Sequence, residues 1–507
     1  MRRLSLLLAF ALFAFTKGHV VRAATPEASA WETTLHRDME AMATHLTDTL
    51  KPWPVPNRIV KVEHYGAVAN GKTINTGAIQ KAIDACSAAG GGVVLFSKGD
   101  YVTGTIDLKS GVMLEIAKEA RILGSTSLAD YPDRVPQRTT IMDTYAKAKK
   151  SLIYAEGVER IGLRGPGSID FRGLQKNFPG KPTTQASLEA PGRPFGLRII
   201  DSHQIVVENI TLKDSARWMQ NYLNCEDLII QKLTVINHAS YNNDGIDIDG
   251  CRRVIVRDSL INSGDDAMSI KGGSLRPTED VLIENSTLVT AGNAFKIGTD
   301  TQGDFRRIYL RNTKLGGIPE TMYSTNGHEA STGLTLTTVD GGDVEDILIS
   351  GVVIERSRAP IFLCVGSRGR LLPGMPPAKV GKLHRIVIEN VTGKDNFRQG
   401  SLITGIKEGP VEDVAIRNVG FSMEGGGTTD MAAATVLEKE KAYPDAYQFS
   451  AEGLPAYGFY LRYARNILFE NVRVTLKNPD ARSAFVDGGN LKNISVDGQP
   501  LAVTAAP

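Results

Sequence analysis

The sequence predicts an all-β protein, a single-stranded right-handed parallel β-helix with an N-terminal capping helix. The leading observation is a repeat. From about residue 200 a short motif returns as "IVVENITL" at Ile205, "LIIQKLTV" at Leu228, "VIVRDSLI" at Val254, "VLIENSTL" at Val281 and "IYLRNTKL" at Ile308. It continues as "ILISGVVI" at Ile347, "IVIENVTG" at Ile386, "VAIRNVGF" at Val414, "ILFENVRV" at Ile467 and "ISV" at Ile494. The spacing clusters at roughly 23 to 28 residues, the range in which self-similarity signals a solenoid. Each copy alternates apolar and polar residues at period two, the strand signature. One short strand cannot bury its apolar side alone, whereas stacked coils share a continuous core and pair every backbone edge. Abundant glycine, 51 of 507 residues, suits the many tight turns such a stack needs.

Taken in chain order, "MRRLSLLLAFALFAFTKGHVVRA" joins Arg2 and Arg3 to an apolar run and ends in small residues, so residues 1–23 are expected to be a secretory signal peptide. The run is shorter than the ~20 residues a spanning helix needs. Residues 24–58 form a helical and linker segment: a helix from Trp31 to Leu50 of unassigned purpose, then Pro52, Pro54 and Pro56. Residues 59–507 are expected to be the β-helix catalytic domain. Near its start, "NTGAIQKAIDACSAAGGG" sets Ile79, Ile83 and Cys86 on one helical face with Gly90 as a stop. A helix there would cover the apolar, edge-exposing end of the first coil. The long gaps around residues 316–332, 366–383 and 422–457 become loops projecting from the stack.

Composition narrows the function. Net charge is +2, with neither a basic stripe nor an acidic block, so neither nucleic acid nor a membrane surface is an expected partner. Four cysteines without C-x-x-C spacing argue against a metal site.

Chemistry concentrates between Asn242 and Gly298. Aligning "GIDID" from Gly245, "AMSIK" from Ala267 and "AFKIG" from Ala294 puts Ile246, Met268 and Phe295 in one inward register. Asp247, Ser269 and Lys296 then face outward. Asp244 heads one coil, Asp265 and Asp266 the next and Asn293 the third, with rungs ~4.8 Å apart. Stacked acids resist joint ionisation. A lone Asp at such a corner would be an ordinary turn residue, but a glycosidase needs one protonated and one ionised carboxyl, roughly 6.5–9.5 Å apart when it inverts.

These residues resemble the polygalacturonase family, glycoside hydrolase family 28, of which the chain looks like a divergent member. "NNDGID" is similar to its N-x-D motif, "SGDDAMSIK" to its G-D-D motif, and the block from Val62 to Ser125 to its N-terminal block. The resemblance implies that Asp265 is the general acid and that Asp244 and Asp266 hold and activate the water, with inversion and no cofactor. Two positions depart from it. Asn293 stands where the family has a histidine, and Thr335 and Thr337 stand where it has an arginine and a lysine that grip a uronate carboxylate. The substrate could accordingly be polygalacturonate, rhamnogalacturonan or another decorated, less charged glycan. A cation could also come from elsewhere, with Lys296, Lys271, Arg368 and Arg370 as candidates.

Further residues complete the expected site. Asp247 flanks the acids, Trp218 and Asn221 lie one coil earlier in position to stack on and bond a sugar, and His328 sits in the loop before Thr335. Cys225 and Cys251 fall at equivalent points of adjacent coils, within disulfide reach or as stacked thiols. The tyrosine- and proline-rich segment from Glu438 to Tyr460 could rim one end of the groove and favour removal of terminal sugars. The expected protein is a secreted or periplasmic monomer hydrolysing a pectin-like polysaccharide or oligosaccharide. A polysaccharide lyase and a non-catalytic glycan-binding β-helix remain as alternatives on the same architecture.

Overall fold

The structure, a computed structural model, describes residues 29–137, 141, 149–178, 192–372, 374–450, 453–501 and 504–505. The expected signal peptide, 1–23, lies outside them. Each coil contributes up to three strands, as in Phe195–Ile200, His203–Glu208 and Thr211–Lys213. The first row belongs to a 13-stranded parallel sheet and the other two join in a 25-stranded one. Every repeat start identified in the sequence pairs with the next: Ile205 with Leu228, Leu228 with Val254, Val254 with Val281 and Val281 with Ile308. Ile308 pairs with Ile347, and the row runs on through Ile386, Val414 and Ile467 to Ile494. Parallel crossovers wind right-handed because right-twisted strands pack back onto a sheet only that way. The inward residues form one continuous buried core from Val62 to Ile494. Residues 317–329, 366–372, 374–382, 424–450 and 453–455 leave the stack where the repeat spacing lengthens.

The corners explain the recurring Asn. Asn209, Asp258, Asn285, Asn312, Asn390, Asn418 and Asn471 all hold φ between 47° and 53°. Asn and Asp tolerate this left-handed region because their short polar side chains bond locally. Their amides also stack: Asn418 donates to Asn390 at 3.2 Å and Asn471 to Asn418 at 2.9 Å.

A second ladder runs along the outer wall. Glu226/Asp227, Arg252/Arg253, Glu279/Asp280, Arg306/Arg307, Glu345/Asp346, His384/Arg385, Glu412/Asp413 and Arg465/Asn466 occupy one register, so successive rungs alternate in sign. Arg253 reaches Asp227 at 2.6 Å, Arg307 reaches Asp280 at 2.6 Å and Arg385 reaches Asp346 at 2.7 Å.

Two helices complete the fold. Helix α2 (Thr76–Ala88) buries Ile79, Ala82, Ile83 and Cys86 against the first coils, as its pattern predicts. Helix α1 (Ala30–Thr49), whose purpose the sequence left open, lies on the outer wall. Its Leu35, Met39, Met42, Ala43 and Leu46 pack on a vertical row of outward apolar residues, Ile255, Leu282, Tyr309, Leu348, Val387 and Ala415. Glu32 and Glu40 pin it by bonding Arg417 at 3.0 Å and the Tyr309 hydroxyl at 2.6 Å. The linker continues along the same wall, where Trp53 covers Met113, Val206 and Ile229. Among the described residues no helix is long and apolar enough to cross a membrane.

Candidate active site

The alignment that stacked the acids holds residue by residue. Ile246 pairs with Met268 and Met268 with Phe295, which places Asp247, Ser269 and Lys296 in one outward row. The residues just ahead of each strand are locked by backbone bonds between rungs. Met219 N donates to Asp244 O at 2.9 Å, Gly245 N to Asp266 O at 2.9 Å and Ala267 N to Asn293 O at 3.0 Å. The Asn237 amide holds Asp244 O from within the same coil at 2.9 Å. Asp244, Asp265 and Asp266 line one pocket of about 60 Å³, large enough to admit water beside the carboxyls.

The carboxyls differ in protonation, for reasons the packing supplies. Asp265 is half-buried, and desolvation, reinforced by the charge of Asp266, pushes it up to about 6. Burial would also raise Asp266, but Lys296 and Lys271, with the Asn293 hydrogen bonds, hold it below the usual carboxylate range. Its Oδ1 accepts from Asn293 N at 3.0 Å and Nδ2 at 2.6 Å, and Lys296 Nζ lies 3.2 Å from Oδ2. Asn293 is thus a neutral clamp on the ionised acid. Burial, then Asp247 and Asp265, raise Asp244 well above its ordinary value, and its Oδ1 has no hydrogen-bond partner among the described residues. Beneath them, burial raises Asp247 to about 7 against the pull of Lys271.

Three side chains at the site were not singled out in the sequence. The segment after Glu438 folds back so that Asp445 meets Lys296 Nζ at 3.1 Å, and Tyr443 lines the pocket with its hydroxyl bonded to Thr299 Oγ1 at 2.8 Å. Arg217, beside Trp218, lines the pocket with Asp244. Asp445 lies 149 residues from Lys296, so strand alignment could not have paired them. Arg217 adjoins a residue already singled out, and its position before the strand Gln220–Leu223 was the available signal.

The other expected residues divide. Trp218 lines the pocket, its ring edge against Phe195 and 4.5 Å from Lys271 Nζ. Lys271 also lines it, paired with Asp247 at 3.3 Å. Asn221 is buried in register with Asp247 and does not line the pocket. His328 is not brought to the acids: its own loop binds it, Nδ1 to Ile318 O at 3.0 Å and Nε2 to Glu320 at 3.4 Å. Arg368 is drawn away by Asp340, which accepts from its Nε at 3.0 Å, while Arg370 does line the pocket. Thr335 pairs with Lys296 as counted, but Thr335 and Thr337 are fully buried and bond inward, to Asn293 Oδ1 and Ile297 O. Cys225 and Cys251 are stacked free thiols, each donating to a backbone carbonyl of the coil before it.

A family model described as Glycosyl hydrolases family 28 matches residues 86–441, more than half of the chain. The chain belongs to that family. This family 28 glycosidase is 24% identical over 428 residues to a Vitis vinifera protein named "Probable polygalacturonase", covering 77% of this chain and 83% of the other. It is 23% identical to a Zea mays exopolygalacturonase over 75% of this chain and 87% of that one. Among solved structures, the exopolygalacturonase from Thermotoga maritima superposes with a TM-score of 0.64 at 18% identity, over 86% of this chain and 96% of its own. The family 28 exopolygalacturonase of Yersinia enterocolitica gives 0.65 at 20% identity, over 88% and 79%. At those identities the structural likeness establishes the fold, a right-handed β-helix.

Proposed function

We propose that this glycosidase hydrolyses a bond in a pectin-type glycan with inversion at the anomeric carbon. Asp265 hands its proton to the leaving oxygen, and Asp266 takes one from a water that Asp244 helps to hold. What carries this is the opposed pKa shift of two adjacent carboxyls on one pocket, Asp265 raised and Asp266 lowered, with Lys296 and Asn293 bonded to Asp266. The names of its relatives support a galacturonan as substrate. The segment bearing Tyr443 and Asp445, lying against the rung of Lys296, supports attack at a chain end. The apolar leader supports action outside the cytoplasm.

Proton NMR during digestion of pectic oligosaccharides tests the mechanism. The first product should carry the anomeric configuration opposite to that of the cleaved bond, and Asp265→Asn should lower kcat about 10³-fold. A retained configuration refutes inversion. An unsaturated, ultraviolet-absorbing product indicates elimination instead.

A further inference from the structure

Among the described residues the cations around the pocket are engaged, with one exception. Lys296 is held between Asp266 and Asp445, Lys271 by Asp247, and Arg368 by Asp340, while Arg370 Nη1 lies 3.8 Å from Asp300. Arg217 is different. It is 1% exposed, yet its Nε and Nη2 find no hydrogen-bond partner, and no carboxylate lies within ion-pair distance of it among the described residues. Its neighbours are aromatic faces, Phe195 at 5.4 Å and Trp218 at 5.9 Å.

A buried guanidinium left without a partner burdens the empty protein, because desolvation is not offset by hydrogen bonds. Nε and Nη2 are sealed off, so Nη1 is the nitrogen left to face the pocket, where a carboxylate is the acceptor that best offsets the buried charge. Arg217 sits just before the strand Gln220–Leu223, one rung ahead of Asp244, so a group it binds lies beside the reacting bond. On the far side, the rung after Asn293 offers Thr335 and Thr337, both neutral and bonded inward.

Building on the hydrolase reading above, we propose that Arg217 receives the carboxylate of a uronic acid residue of the substrate and selects unesterified over methyl-esterified sugar next to the bond that breaks. Burial lowers the Arg217 pKa to about 9. A guanidinium nevertheless stays charged at neutral pH, so the selectivity should persist there.

Binding of unesterified trigalacturonate and of its methyl ester, measured by calorimetry in the Asp265→Asn background, tests this without turnover. The unesterified sugar should bind about 100-fold more tightly than the ester. Arg217→Gln should abolish the difference by weakening the unesterified sugar alone, while Arg217→Lys retains part of it. Because the charge it removes has no ion-pair partner and contacts only the Phe195 and Trp218 faces, Arg217→Gln should melt no lower than its parent. Equal weakening of both sugars, an undiminished preference, absence of binding by either sugar, or a lowered melting temperature each overturns the assignment. A wild-type protein that binds with this selectivity yet cleaves no pectic glycan would defeat the hydrolase reading and leave the Arg217 assignment standing.

Discussion

Asp265 and Asp266 are neighbours in sequence, and Asp266 N donates to Asp265 Oδ1 at 2.9 Å. What separates their chemistry is which of them Lys296 and Asn293 can reach. The proposed mechanism needs Asp265 protonated and Asp266 ionised, so kcat/KM should be greatest on the acid side and fall as pH rises through about 6, where Asp265 loses its proton. A pH–rate profile on any cleaved oligosaccharide checks this, and a descending limb well above neutrality would contradict it. At this scale the acids were legible from the alternation of Ile246, Met268 and Phe295, because a period-two register leaves no freedom in what lies just ahead of each strand. Asp445 was not legible, since an ion pair closed by a long loop follows no register. Nor was the burial of Lys296: its outward direction was correct, but the loop bearing Asp445 and Tyr443 covers it.

Helix α1 shows how an element can be recognised before its role is. Its own sequence predicts a helix, while its partner is written as single residues of successive repeats elsewhere. Ile255, Leu282, Tyr309, Leu348 and Val387 are the second residues of successive repeats, facing outward where a solvent-exposed wall would be polar. That apolar stripe was the available signal that something must cover the wall. Met39, fully buried at its centre, should be costly to lose: Met39→Ala is expected to destabilise the protein by about 2–5 kcal/mol. Chemical denaturation measures this. A loss below about 0.5 kcal/mol would mean that the helix does not dock as described, since surface changes fall in that range.

Over the whole molecule, the repeat starts were legible because stacking forces equivalent residues into contact, and all of them pair as counted. The earliest coils were less so. There Ile59 pairs with Val93 and Val93 with Met113, in strands that do not carry the recurring motif. The alternating charges of the outer wall also act at this scale. Single exposed pairs contribute little, about 0.2–1 kcal/mol each, but Arg307 bonds both Glu279 and Asp280 and lies in register beside Asp346. Arg307→Glu replaces these attractions with repulsion and should lower stability by roughly 1–2 kcal/mol, a loss that shrinks in 1 M salt as screening shortens to about 3 Å. Denaturant melts at low and high ionic strength test it, and a salt-independent loss would assign the effect to packing.

The wall therefore has a parity. A strand docking one turn out of place meets its own sign, while one displaced by two turns meets its opposite, so electrostatics discourages odd misalignments and is blind to even ones. Inserting or deleting turns between Glu226 and Arg465 without conflict would likewise have to proceed two at a time.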